Sequence, residues 1–290
     1  MRLLILGGGF TGTAVARQAL ARGLAVHAST RDPERAARLA ALGVTPLLVA
    51  SLAEGPAQPM LEMLHALPID AEMSVLVTFP PDGATDRALA PRLAGARSIA
   101  YVSSSVVYGG ARGRVDETTP TVASSREPDA LANAMPRARL RVEAEAVYRD
   151  LGATIVRAPA IYGPGRGLHL RLARGTLRLA GDGDNVVSRV HVEDLASALL
   201  ELLVRGTRDA LFVAGDRLPA PHVEVVRHVC EALGLPMPPR VPGEQADETL
   251  RHERALDPSR LYAALGREPR FPTYREGFAQ CLAADGLLPG

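Results

Sequence analysis

The chain has 290 residues, 47% of them hydrophobic, with 33 Lys+Arg against 32 Asp+Glu and a formal net charge of +1. That length can bury a large core, either as one doubly wound domain with an appended lobe or as two domains, and the balanced charge argues against a nucleic-acid or anionic-membrane partner. No apolar run reaches the length that crosses a bilayer, and all 33 Lys+Arg positions are arginine, so no lysine can serve a catalytic step.

Leu3 to Leu6 is an apolar run suited to a strand buried on both faces of a parallel sheet. Gly7, Gly9 and Gly12 then spell GxGxxG before the helical stretch Thr13 to Arg22. Gly7 permits the tight turn, Gly9 removes the Cβ that would stand between the backbone and a pyrophosphate, and Gly12 lets the helix pack closely on the strand. The phosphates would sit on the free amides and positive dipole of the helix N-terminus, with Phe10 and Thr11 in the same turn. A glycine-rich structural turn, to which Gly8 adds slack, is the plainer reading. Because the motif follows a strand and opens a helix, it predicts a dinucleotide site.

The next strand ends AVHASTRD. NAD-binding chains place Asp or Glu at this tip, about 20 residues beyond the glycines, against the ribose 2′-hydroxyl. Here Ser29, Thr30 and Arg31 offer two hydroxyls and a guanidinium, a set suited to a 2′-phosphate. NADP is the cofactor this favours, with NAD the alternative. On the bland reading Arg31 is solvated and Asp32 caps a helix from Pro33 to Leu42; both hold together.

Strand-like and helix-like runs continue to alternate: a strand at 44–49, a helix at 59–66, a strand at 74–78, a helix at 84–93, a strand at 98–103, a polar loop over 109–128, a helix at 137–149 and a strand at 153–157. Such alternation implies parallel strands with right-handed crossovers, hence an α/β doubly wound (Rossmann) sheet over residues 1–162 with a later strand returning near 186–215. Past Gly163 the pattern loosens, and 163–290 reads mainly as a smaller C-terminal substrate lobe. Cys230 and Cys281 stand apart with no His or Cys at ligand spacing, so the expected setting is a reduced, cytoplasmic one with no structural metal.

YVSSSVVYG at 101–109, RAPAIYGPGR at 157–166, HVEDLA at 191–196 and FPTYREGF at 271–278 together resemble the extended short-chain dehydrogenase/reductase family of epimerases and dehydratases, over nearly the whole chain. The resemblance implies that Ser104 is the catalytic hydroxyl, that Pro159 contacts the cofactor, and that Ser105, Met135, Arg166, His169 and Arg189 face a small-molecule substrate. Strand four departs from the family, ending VTFPPDG in place of a small Ala/Gly-rich turn, so that Thr78, Phe79, Pro80 and Pro81 would line the cofactor cleft with a stiffer, more apolar wall. On the residues alone, Ser103, Ser104 and Ser105 equally end a strand with local hydrogen bonds. The family's proton relay is a Tyr and a Lys four residues apart on the following helix. With Glu143 as anchor those positions become Met135 and Arg139; shifting the register to Arg137 and Arg141 recovers no tyrosine. Arg139 keeps a permanent cation able to bind ribose or acidify a relocated phenol. A further departure is Ser51, where the family has an Asp at the adenine edge.

Candidates for the proton donor are Tyr108 and Tyr162, which also suit packed rings, and His169, which also suits a surface position between Arg166 and Arg171. His191 and Asp194 read as structural, the acid as a helix-start cap. Arg166, Arg171, Arg174, Arg178 and Arg189 form either a clamp for an anionic or nucleotide-linked substrate or a solvated face. Two functions follow: an NAD(P)-dependent oxidoreductase, epimerase or dehydratase acting on a carbonyl or hydroxyl with a non-standard proton donor, or a catalytically silent NADP(H)-binding regulatory or scaffold protein. The resemblance also implies a homodimer through the helices near 84–94 and 137–149.

Overall fold

The computed structural model describes residues 1–49, 57–65, 67–126, 129–243 and 253–288; the expected adenine-edge position Ser51 lies outside them. The chain divides into two compact units, one of residues 1–109, 120–157 and 195–212, the other of 110–119, 158–194 and 213–290.

The first unit begins with β1 (Arg2–Leu6), α1 (Phe10–Ala21), β2 (Ala25–Thr30), α2 (Pro33–Ala41), β3 (Thr45–Leu48), α3 (Ala57–His65), β4 (Met73–Val77), α4 (Ala84–Leu93) and β5 (Ser98–Ser104). A short 3-10 turn (Ser105–Tyr108) follows β5, and α5 (Pro136–Asp150) and β7 (Thr154–Ala158) come later in the chain. Most of α7 (Val192–Arg205) and of β12 (Leu211–Val213) also belongs here. Seven strands form one sheet in the order β12-β7-β5-β4-β1-β2-β3. The pairings β1–β2, β1–β4, β2–β3 and β4–β5 are all parallel. Strand order reverses between β1 and β4, the switch point at which open α/β sheets hold ligands beyond the carboxyl ends of their strands.

Burial explains the sequence pattern. All five residues of β4 are buried, as are Leu3 to Leu6 of β1, which is why both strands read as unbroken apolar runs. One core gathers Leu4, Leu6, Val75, Val77, Ile99 and Tyr101 of the sheet with Leu89, Leu93 and Tyr148 of α4 and α5. Asp32 does cap α2: its carboxylate accepts from the amides of Glu34 and Arg35, with Pro33 at the first helical position.

In the second unit, β6 (Gly113–Val115), β10 (Val186–Val187), β13 (Ala220–Pro221) and β15 (Arg254–Leu256) make a sheet in the order β13-β10-β15-β6. Two separate parallel pairs accompany it, β8 (Ala160–Tyr162) with β11 (Arg189–His191) and β9 (Leu179–Ala180) with β14 (Arg240–Val241). Its helices are α6 (Leu168–Ala173), α8 (His222–Leu233), α9 (Ser259–Leu265) and α10 (Tyr274–Ala284). A second core joins Tyr162, Leu172, Leu177, Val225, Val229, Tyr274 and Phe278.

Two expectations are corrected here. The stretch 109–128, expected to be loop, contains β6, whose three residues pair with β15. Its partner lies about 140 residues away, and three residues with an exposed arginine in the middle carry no local strand signal. Asp194 is no helix-start cap: it sits inside α7 and accepts from the amides of Arg270 at 2.7 Å and Phe271 at 2.9 Å, tying down the chain ahead of α10.

Candidate active site

At the switch point the glycines do separate jobs. Gly7 has φ +112°, and a Cβ on it would lie 2.6 Å from Thr78 Oγ1 and 2.8 Å from the Phe79 amide. Thr78 donates its hydroxyl to the Gly7 carbonyl at 2.6 Å and its amide to Leu6 O at 2.9 Å, which clamps the turn onto β4. A Cβ on Gly12 would collide with the Gly7 carbonyl, so helix and strand approach only because that atom is missing. Gly9 differs: a Cβ there would meet nothing within 4 Å, so this backbone faces open space at the start of α1. The first turn of α1 carries no acidic residue, and Gly9, its N-cap, supplies no side-chain cap. The amides and the helix dipole therefore stand ready for an anion.

The tip of β2 is shared between structure and exposure. Ser29 is buried; its Oγ accepts from the Gly7 amide at 3.0 Å and its carbonyl from the Gly8 amide at 2.7 Å, so it braces the glycine turn from beneath. Thr30 is buried as well, and its Oγ1 accepts from the Asp32 amide at 3.2 Å. Arg31 is exposed, as are Arg35 and Arg38 on α2. Phe79 is half-buried against the core and Pro80 is exposed.

The carboxyl end of β5 carries Ser104, whose Oγ accepts from the Val106 amide at 3.4 Å. Beside it Ser103 and Tyr108 meet Glu145 and Arg157, two residues that the sequence did not single out. Ser103 donates to Glu145 Oε1 at 2.6 Å; Arg157 donates Nε to Oε1 at 2.9 Å and Nη2 to Oε2 at 2.7 Å; and Arg157 Nη1 reaches the Tyr108 oxygen at 3.2 Å. All four side chains are buried. Burial alone would lower the Arg157 pKa, but the Glu145 carboxylate overcomes it and the guanidinium titrates above its ordinary range.

On α5, Arg139 turns to the Ala132 carbonyl at 3.3 Å and Met135 is exposed at the N-cap. Arg141 is the arginine that reaches β5, donating to Val102 O at 2.8 Å and to Tyr101 OH at 3.0 Å. The register Arg137/Arg141 thus puts a cation against the serine strand, while Arg139 faces the preceding loop. The one clue in the sequence was a charged residue, Arg157, inside the apolar run TIVRA: a charge in a buried strand needs a partner.

In the second unit Pro159 is half-buried, Arg166 is exposed on the turn after β8, and Arg171, Arg174 and Arg178 are exposed on and after α6. Arg189 parts company with them. It is buried, donating to Val187 O at 2.8 Å and, through Nη2, to His222 Nδ1 at 3.0 Å. His169 is also buried and not on the surface: the face of α6 that carries it packs inward, and its Nε2 lies 2.8 Å from Asp285 Oδ2. Tyr162 stacks on Phe278 at 4.5 Å, a packed ring rather than an exposed acid. Burial pushes the His191 and His222 imidazoles down to about 4 and the Asp216 carboxyl up to about 7. No group of acidic, His or Cys side chains able to hold a metal ion occurs among the described residues.

Comparison with known proteins bears on this geometry. Residues 87–215 match the model of the NAD dependent epimerase/dehydratase family. A 3-diazoavenalumate denitrifying reductase from a Streptomyces species is 30% identical over 208 residues, 66% of this chain and 67% of that protein. The chain belongs to the NAD-dependent epimerase/dehydratase family. A conserved protein of unknown function from Silicibacter pomeroyi DSS shares 28% identity and superposes with a TM-score of 0.79 over 97% of this chain and 98% of its own. A dTDP-glucose 4,6-dehydratase from Bacillus anthracis solved with NAD (20% identity, TM-score 0.75, 98% and 96% coverage) shares the fold. So does a human epimerase family protein solved with NADPH (20%, 0.73, 99% and 100%). The nicotinamide dinucleotide that this family implies fits the residues present: an open backbone cradle at Gly9, amides without a capping side chain, and no carboxylate in the first turn of α1.

Proposed function

We propose that the chain is an NADP(H)-dependent reductase that delivers hydride to a small electron-poor substrate held at the carboxyl end of β5. The observation that carries this reading is the uncapped, acid-free start of α1 behind Gly9, flanked by an exposed Arg31 at the tip of β2 while Asp32 commits its carboxylate to the α2 cap. When bound, the reduced dinucleotide supplies the hydride. The chain holds and orients: in this reading first-turn amides take the diphosphate, Arg31 takes the ribose phosphate by charge-assisted bonds, Ser104 orients the substrate, and Tyr108 is the candidate phenol for moving a proton. The name of the Streptomyces relative, a reductase of a diazo compound, supports reduction over a silent cofactor-sensing role. It also adds diazo compounds to the carbonyl, hydroxyl and nucleotide-linked substrates that the resemblance implies.

The test is single-turnover mixing of the purified protein and NADPH with ketones, aldehydes and an arenediazonium salt. Substrate-dependent loss of the dihydronicotinamide absorbance, abolished in Ser104→Ala, is the expected result. Tight NADPH binding with no oxidation by any member of the panel would overturn the reading. The homodimer through α4 and α5 belongs to the same proposal, and light scattering that returns only monomer at micromolar protein would remove it.

A further inference from the structure

We propose that Glu145 and Arg157 are positioning residues that hold the strand end bearing Ser104 and set the ionisation of the Tyr108 phenol, Arg157 supplying the positive charge next to the phenol oxygen and Glu145 moderating it. The inference rests on the reductase reading of this strand end and adds to it the residues that tune it. Ser103, Tyr108, Glu145 and Arg157 are 2–4% exposed and come from four different elements: β5, the 3-10 turn, α5 and β7. The Arg157 guanidinium carbon lies 5.0 Å from the Tyr108 ring centroid while Nη1 bonds the phenol oxygen, so ring and oxygen both face one cation. The segment that carries Ser104 is pinned at both ends: Ser103 by Glu145 and Tyr108 by Arg157.

Charged groups near the phenol sit on β7 and α5. Arg157 faces it from β7, and Glu145 lies behind Arg157 on α5. Arg149, exposed, reaches Glu145 at 3.4 Å, and Arg141 is occupied by Tyr101 and the Val102 carbonyl. A cation bonded to a phenol oxygen favours the phenolate, the more so away from water. Tyr101 is the internal control. It too accepts from a guanidinium, but Arg141 is only half-buried, and burial of Tyr101 prevails, pushing its pKa up. Burial likewise pushes up Tyr148, Tyr162, Tyr262 and Tyr274.

The consequence is an order and a pair of signs. Tyr108 is itself buried, which opposes ionisation; the bonded guanidinium is expected to offset that penalty, so that Tyr108 loses its proton first of the six tyrosines. Glu145→Gln removes the moderating charge and moves the Tyr108 pKa further down; Arg157→Gln moves it up; each shift is about one pH unit, a tenfold change in the ionised fraction. A purely structural network predicts no such opposition. The experiment is an alkaline NMR titration of protein carrying 13Cζ-tyrosine, with the Tyr108 resonance assigned by Tyr108→Phe. Tyr108 ionising first in the wild type, with opposite shifts in the two variants, is the expected outcome. Tyr108 ionising with or after the others, or both variants shifting it the same way, would overturn the proposal. If Arg157→Gln does not fold, the wild-type order and Glu145→Gln still decide. NADPH oxidation plays no part in the readout, so failure of the reductase reading and failure of this inference are separate results.

Discussion

Arg157 in the first unit and Arg189 in the second are equally buried, each 4% exposed, yet their surroundings are opposite. Arg157 meets a carboxylate in a two-bond grip and gives a further donor to a phenol. Arg189 meets a carbonyl and an imidazole, and among the described residues it makes no ion pair, although Asp216 is close enough to act on it electrostatically. Around Arg189, Tyr162 OH, Asp216 Oδ2 and His222 Nε2 have no hydrogen-bond partner among the described residues. The pKa directions follow: up for Arg157, and for Arg189 down to about 10 as burial wins. Burial pulls both guanidinium pKa values down, and only an engaged carboxylate reverses it.

The largest expected effect sharpens this contrast. Arg157→Met strands the Glu145 carboxylate and costs about 3–5 kcal/mol of stability, as breaking one side of a buried pair does. Arg189→Met abandons no engaged carboxylate and costs well under that. Chemical denaturation of both variants checks the order, and equal losses would break the comparison.

Next come the glycines. Gly7→Ala forces a side chain into φ +112° against Thr78 and costs about 1–3 kcal/mol. Gly9→Ala meets nothing within 4 Å, so it leaves the denaturation midpoint unchanged and instead weakens nucleotide binding in calorimetry. A Gly9→Ala protein with lowered stability and unchanged binding would refute the division of labour.

A smaller effect is read from pH. Asp216 is raised to about 7 in the folded protein, while His191 and His222 are lowered to about 4. Unfolded, a carboxyl titrates near 4 and an imidazole near 6.5. Between these values the imidazoles bind fewer protons folded than unfolded, so their contribution makes stability rise with pH; Asp216 binds more, so its contribution makes stability fall as pH climbs from about 4 to about 7. Asp216→Asn removes the falling part. The melting temperature of the variant should climb more steeply than that of the wild type over this range, and parallel profiles would contradict the assignment.

The sequence exposed what depends on neighbours in the chain. Gly7 and Gly12, the Asp32 cap and the unbroken apolar strands are local patterns, and each has the structural cause the pattern implied, while Gly9 has open space around it. The Glu145–Arg157 pair was hidden because a helix residue and a strand residue 12 positions apart meet only through the fold. His169 stands between two arginines in the chain, yet which face of α6 turns inward is set by the packing around Phe278 and Asp285. β6 depended on β15, a partner no local window contains.

The central claim is that the turn between Leu6 and Thr13 grips a dinucleotide and that Arg31 selects the phosphorylated form. Isothermal titration of the folded protein with NADPH and NADH tests it most directly. The expected result is tighter binding of NADPH, with Arg31→Ala losing about tenfold in NADPH affinity, roughly 1.4 kcal/mol, and little in NADH affinity. Uptake of neither nucleotide by protein that melts cooperatively would contradict it.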